Sequence, residues 1–156
     1  MTLMLRPMTE DEFGPWFEQL HGEYEQHLAE WAQMSPEAAR EKARRDHESL
    51  LGEHGLATEG HSVYVLDDDG ATVGDLWVHE QERGGEPLLW IFYVSVDPEH
   101  RGRGYGKQAM LLAEEEARRR GLPAVHLNVF GGNDVARSLY RSLGYSEDSV
   151  WMSKSV

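Results

Sequence analysis

Asp97 to Met110 reads DPEHRGRGYGKQAM, and within it Arg101, Arg103 and Lys107 interleave with Gly102, Gly104 and Gly106. Such a cluster of cations and glycines, in a chain of formal net charge −13, marks a stretch suited to holding an anion. A helix N-terminus leaves backbone N–H groups unpaired and carries a partial positive charge, so a glycine-rich turn leading into one can wrap a pyrophosphate. Glycine lets the backbone approach closely and take dihedrals that a Cβ forbids, and the basic side chains add charge-assisted contacts. Two familiar phosphate loops fit badly. A Walker A loop needs glycine at position 101 and Ser or Thr at 108, where the chain has Arg101 and Gln108. A dinucleotide fingerprint needs its third glycine at position 107, which is Lys107, at the opening of a βαβ unit.

The pattern that does fit is Arg-x-x-Gly-x-Gly at Arg101, Gly104 and Gly106, after the strand-like run Val94-Ser95-Val96-Asp97-Pro98. It resembles the acetyl-CoA-binding motif of the GNAT superfamily of N-acetyltransferases. Downstream, Leu127-Asn128-Val129, then Asn133, Ala136, Leu139 and Tyr140, then Leu143-Gly144-Tyr145, follow that superfamily's second coenzyme-side motif in order and spacing. The motif resemblance runs from about Leu88 to Tyr145, and before Leu88 it is one of element order only.

The resemblance implies a role for each matched position. The backbone of Val94 and Val96 would pair with the pantetheine arm where two strands splay apart. The N–H groups of Arg101, Gly102, Arg103, Gly104, Tyr105, Gly106 and Lys107 would hold the pyrophosphate. Asn133, with Ala136 and Arg137 beside it on the last helix, would touch the cofactor arm, and Tyr140 would sit near the thioester sulfur. Direct transfer of acetyl from a thioester to an amine needs a neutral nucleophile, a donor for the developing oxyanion and a proton for the leaving thiolate. A backbone N–H near Val94 is the expected oxyanion donor and Tyr140 the expected acid. Many relatives carry an acidic residue on the fourth strand as base; here the run Trp90 to Ser95 holds no carboxylate. The nearest titratable groups are His79, Glu80 and Asp75 on the preceding strand, with Asp75, Trp77 and His79 on one face and Val78 and Glu80 on the other.

The elements that must position these residues are legible around them. Leu3 to Arg6 reads as a short strand, and Thr9 with Glu12 as a capping box opening a helix. Phe13, Trp16, Phe17, Leu20, Tyr24, Leu28 and Trp31 recur every three or four residues, the stripe of an amphipathic helix, with Pro15 expected in its first turn. Ser35-Pro36-Glu37 starts a second helix, expected to reach His54. HSVYVLD, ATVGDLWVHEQ and PLLWIFYVSVD read as three antiparallel strands joined by DDDG and RGGE turns. A helix from about Gly104 to Arg120, stopped by Gly121 and Pro123, precedes the strand AVHLNVF. A helix from about Asn133 to Leu143 and a last strand near Val150 to Ser153 complete the chain. The expected fold is α/β and GNAT-like: a mixed, mostly antiparallel twisted sheet of six to seven strands, splayed between strands 4 and 5 and flanked by about four helices.

Composition narrows the function classes. The 156 residues show no repeat, linker or low-complexity tract and read as a single domain over 1–156. Fifteen Lys and Arg against 28 Asp and Glu argue against nucleic acid or an anionic membrane as partner and favour cationic small molecules or basic peptides. With no cysteine, disulfides, thiolate metal sites and a Cys nucleophile fall away. His47, His54 and His61 recur every seven residues without completing a ligand set, so no metal is expected. The opening MTLMLRPMTE is no signal peptide, and the protein is expected in the cytoplasm. Homodimers are common in the superfamily and are carried as an expectation. The leading reading is acetyl transfer from acetyl-CoA to a primary amine in a ternary complex, with a small-molecule amine ahead of a protein or peptide N-terminus. The competing class is a non-catalytic acyl-CoA-binding sensor.

Overall fold

The computed structural model describes residues 2–156 and orders them as β1 (Leu3–Pro7), α1 (Glu10–Trp31), α2 (Pro36–His47), β2 (His61–Asp68), β3 (Ala71–Arg83), β4 (Glu86–Val96), α3 (Tyr105–Arg119), β5 (Val125–Leu127) and α4 (Asp134–Ser142). Local chemistry sets most boundaries. The Glu12 carboxylate accepts from the Thr9 N–H and hydroxyl at the start of α1, and Ser35 Oγ accepts the Ala38 N–H over Pro36 at the start of α2. Pro15 lies in the second turn of α1, one turn deeper than expected. Helix α2 ends at His47 and continues as a π-helical turn, Glu48–Gly52, short of the expected His54. Gly121 and Gly144 take the left-handed dihedrals that close α3 and α4, at φ +72° and +93°.

The sheet runs β1-β2-β3-β4-β5, antiparallel throughout except for the parallel β4–β5 pair. It has five strands among the described residues, fewer than the six to seven expected. The expected strand AVHLNVF pairs only over Val125–Leu127. The expected strand near Val150 to Ser153 is extended but unpaired, and Val150, Trp151 and Met152 stand 65%, 95% and 86% exposed. A strand exists by pairing, and this segment pairs with no strand among the described residues.

Two apolar layers sandwich the sheet. On one face Ala109, Met110, Ala113 and Ala117 of α3 pack on Leu66, Leu76, Val78, Leu89 and Ile91, with Leu139 and Tyr140 of α4 against them. On the other, Trp16 and Leu20 of α1 pack on Val63, Val65 and Trp77, and Trp16 meets Trp77 edge to face at 6.0 Å. Each fully buried aliphatic side chain contributes about 1.5–3 kcal/mol, so both layers hold the sheet firmly. The α3 layer is tied to the sheet by a polar knot as well: Glu116 accepts from Arg119, Arg120 and the Tyr64 hydroxyl, and Arg120 also reaches Ser62 and Glu80.

Candidate active site

The sheet opens part-way along β4. Strand β5 pairs with Leu89, Trp90 and Ile91 and stops there, whereas β3 follows β4 on its other side as far as Val96. The opening coincides with a bulge. Trp77 faces Tyr93 but Val78 faces Ile91, which leaves Phe92 as one extra residue in β4. A bulge bends its strand and raises the local twist, and this one turns β4 away from β5. The side of β4 turned toward β5 therefore has no strand partner from Phe92 to Val96 among the described residues.

Which backbone groups line that gap follows from alternation. In an antiparallel pair the N–H and C=O of one residue point to the same side, and successive residues alternate. The Asp97 N–H donates to the Val73 carbonyl of β3 at 2.9 Å, so Ser95 and Asp97 turn their backbone to β3. Val94 and Val96 turn theirs to the open side. The Val96 carbonyl is engaged there by Arg101, whose Nε donates to it at 2.9 Å. Side chains alternate the other way: Val94 and Val96 pack on the α3 layer, Phe92 and Tyr93 on the α1 layer.

Past Val96 the chain makes one 3-10 turn, Pro98–His100, and enters the glycine-rich loop. Gly102 and Gly104 adopt φ of +76° and +84°, and Gly104 is the N-cap of α3. No protein atom lies within 4 Å of where a Cβ on either would stand, so glycine is needed here for the backbone path and leaves a shallow cradle above it. Among the described residues the N–H groups of Gly102 to Lys107 meet no backbone carbonyl. Arg103 and Lys107 are exposed beside them. Tyr105 differs: its side chain is buried and its hydroxyl donates to Asp68, so only its backbone faces the cradle. Gly106 serves packing, because a Cβ there would touch Leu139 of α4 at 3.4 Å. Just before the loop Asp97, Glu99 and His100 bring one ligand atom each within 4.8 Å of one another, in a partly exposed acidic turn.

Helix α4 forms the far wall. Asn133 caps it, accepting the Ala136 N–H at 3.2 Å, while Arg137 donates to the Gly131 carbonyl and pairs with Glu147. Tyr140 is half-buried on the α3 side with its ring 6.0 Å from that of Tyr145. Its hydroxyl has no protein partner among the described residues, and burial pushes its pKa upward. Helix α1 roofs the opposite side. Its Trp16 stands on Trp77 in mid-sheet, and its last residue, Trp31, stacks obliquely on Phe130 beyond β5, with ring centroids 5.9 Å apart. The helix thus crosses the gap between β4 and β5.

An unpaired strand edge running into an anion cradle, with a tyrosine on one wall, suits a long ligand with amide groups and a pyrophosphate. Comparison with known proteins identifies the ligand's class. Residues 9–145 match the model of the acetyltransferase (GNAT) family. The chain belongs to the GNAT family. It is similar along its whole length to the uncharacterized N-acetyltransferase YycN of Bacillus subtilis, at 31% identity over 157 residues covering 100% of both chains. The crystal structure of YycN superposes with a TM-score of 0.93 over 99% of each chain. A mycothiol acetyltransferase of Nocardiopsis dassonvillei is 39% identical over 83 residues, which span 50% of this chain and 25% of that enzyme. The protein is an acetyl-CoA-dependent N-acetyltransferase. No helix among its described residues is long and apolar enough to cross a membrane.

In this GNAT chain the three base candidates occupy different surroundings. Glu80 lies on the α3 side and pairs with Arg120 at 3.2 Å. His79 lies on the α1 side, stacked on His61 at 4.0 Å, with its pKa lowered by burial. It stands opposite Trp90, in the part of β4 that β5 still covers. Asp75 also faces α1, but opposite Ser95, within the open stretch of β4. It is 7% exposed, its Oδ1 has no hydrogen-bond partner, and burial lifts its pKa to about 7. The bulge at Phe92 and the roof made by α1 were absent from the sequence reading. The one sequence signal beside the gap is Gly74, where a Cβ would stand 2.0 Å from the Ser95 carbonyl oxygen, a closeness that reports how tightly β3 and β4 are drawn together there.

Proposed function

We propose that this enzyme moves acetyl directly from acetyl-CoA to the amine of a small molecule, with both substrates bound at once. The observation that carries the reading is the backbone edge of Val94 and Val96, which has no strand partner and leads into the cradle of Gly102 to Lys107. When bound, acetyl-CoA supplies an activated acetyl thioester. On this reading the Val94 N–H bonds the pantetheine arm or the acetyl oxygen, and the Val96 carbonyl joins in once Arg101 swings from it to a phosphate. Gly102 to Lys107 hold the pyrophosphate through N–H groups, helped by the partial positive charge of the α3 N-terminus. Arg103 and Lys107 add charge.

Tyr140 Oη is the proposed proton donor to the leaving sulfur. Its raised pKa keeps it protonated until sulfur needs the proton. Asn133 spends its side-chain oxygen on the cap of α4, which leaves its amide N–H groups for the cofactor arm. A small acceptor is supported by the roof of α1, which passes over the gap from Trp77 to Phe130. The similarity to an enzyme named for mycothiol, itself a small molecule, points the same way.

The test is isothermal titration of acetyl-CoA, followed by thiol release in the presence of diamines, aminoglycosides and tripeptides. Micromolar binding, on the order of −8 kcal/mol, with thiol release driven by one of the first two classes is the expected result. Release driven by tripeptides alone would move the acceptor assignment to peptides. Binding without release for any amine would favour the sensor reading.

A further inference from the structure

The α1 side of the gap contains a buried carboxylate that no cation ties down among the described residues. Asp75 is buried in mid-sheet; the Trp16 Nε1 of α1 leans toward its carboxylate and holds its pKa down somewhat, but Oδ1 and Nε1 make no well-formed hydrogen bond. A buried polar group left unpaired costs about 1–3 kcal/mol, and a poorly formed contact with Trp16 recovers only part of that, which calls for a reason. The other buried acid among the described residues, Glu116, is tied down by two arginines and a tyrosine.

The surroundings supply the reason. Cross-strand neighbours have Cβ atoms about 4.5–5.5 Å apart, so Ser95, opposite Asp75, stands between the carboxylate and the open edge of β4. Asp97 lies two residues along β4 on the same side, and Glu23 comes down from α1, seven residues after Trp16; both raise the Asp75 pKa by their charge. From β2 the residue opposite Asp75 is the apolar Val65. The groups facing Asp75 from the packed elements are therefore two carboxylates, an indole, a hydroxyl and a methyl surface, with no cation among them.

We propose that Asp75 is the general base of this transferase, receiving the acceptor's proton through Ser95 Oγ or one water, in an acid-lined chamber with Glu23 and Asp97 that selects amines bearing a second positive charge. The inference rests on the acetyltransferase reading of the open edge. The protons balance as follows. The ammonium nitrogen of the acceptor gives one proton to Asp75 and bonds to the acetyl carbon as that carbon's bond to sulfur breaks. It then releases a second proton, which matches the one Tyr140 Oη delivers to sulfur. The products are an amide, a thiol and one proton, which Asp75 passes to solvent.

The test uses the full chain with acetyl-CoA and spermidine, putrescine and a monoamine of similar length as probes. Asp75→Asn is expected to bind acetyl-CoA within about twofold of wild type while turnover falls at least about 100-fold. His79→Gln is expected to lose less than about tenfold. Glu23→Gln should raise KM for spermidine more than for the monoamine. A second readout needs no turnover. In the native state Asp75 favours its protonated form, with a pKa of about 7 against 3.8 in the unfolded chain. Its contribution to stability is therefore complete at low pH and is lost as pH rises through 7. Asp75→Asn removes that loss, which begins above 3.8, and should raise the melting temperature clearly more at about pH 8.5 than at about pH 5. Equal turnover for Asp75→Asn and wild type, or a large loss confined to His79→Gln, overturns the proposal and leaves the acetyltransferase reading intact. Failure of wild type to bind acetyl-CoA sinks that reading instead.

Discussion

Gly74→Ala isolates the tightest contact beside the gap. Gly74 sits in β3 opposite Val96, next to a bulge at Val73, where β3 carries one extra residue against β2. Its own dihedrals are ordinary, so the effect of a methyl group is purely one of space. The added Cβ would stand 2.0 Å from the Ser95 carbonyl oxygen and 3.0 Å from both the Ser95 carbonyl carbon and the Val96 Cα. All three are backbone atoms of a strand held on both faces, so no side chain can rotate away and β4 must move by about 1 Å. Overpacking of a well-filled site costs about 1–3 kcal/mol, and a clash against backbone belongs at the upper end. For a chain of this size, about 3 kcal/mol corresponds to a fall of about 6–12 °C in melting temperature. Calorimetry on Gly74→Ala, with Gly131→Ala as control because a Cβ there meets nothing within 4 Å, measures it directly. Because the displaced atoms belong to Ser95 and Val96, acetyl-CoA affinity should fall together with the melting temperature. A melting temperature within about 2 °C of wild type would refute the close apposition of β3 and β4 on which the geometry of the gap depends.

Gly104→Val should weaken acetyl-CoA binding at least about tenfold in titration calorimetry, since it fills the cradle and imposes a left-handed dihedral on a β-branched residue; the accompanying loss of stability is about 1–2 kcal/mol. Tyr140→Phe should lower kcat about 100-fold with acetyl-CoA affinity unchanged, read by steady-state kinetics and titration in parallel. Glu116, held at a pKa of about 2 by Arg119, Arg120 and Tyr64, contributes stability that is present above its unfolded value of 4.5 and lost as pH falls toward 2. Glu116→Gln should therefore cost about 2 kcal/mol at neutral pH and flatten the acid limb of a melting-temperature profile.

The parts of the site legible in the sequence were those written in local chemistry. Gly102 and Gly104 announced positive dihedrals, Gly104 and Gly121 bracketed α3 to within a residue, and the start of α4 was placed at Asn133, because each depends on bonds within a few residues. The bulge at Phe92 escaped because it is a property of two strands in register: Phe92 looks like any other alternating aromatic until Trp77 and Val78 are seen to skip it. The same reason hid the surroundings of Asp75, whose face could be deduced from alternation but whose neighbours Glu23 and Ser95 come from elements far apart in the chain. Strand count failed where apolar runs did not meet a partner edge. Val125–Leu127 pair for three residues and Val150 to Ser153 for none, although both stretches have strand-like composition. Tyr105 adds a further contact hidden for the same reason: its side chain is anchored to Asp68 at the end of β2, far away in the chain.

The unpaired edge of β4 carries a consequence for the protein's lifetime. On the proposed binding mode, sheet hydrogen bonds withheld from β5 are left for a ligand to make, and the cofactor acts as a removable strand that completes the sheet only while bound. A ligand that binds only the folded chain stabilises it by about 2.7 kcal/mol at a hundred times its dissociation constant, a sizeable share of the 5–15 kcal/mol, roughly, that holds a domain folded. The folded population of this enzyme, and with it its resistance to proteolysis, will therefore rise and fall with the supply of coenzyme A thioesters, so that its abundance records the acetyl supply it draws on.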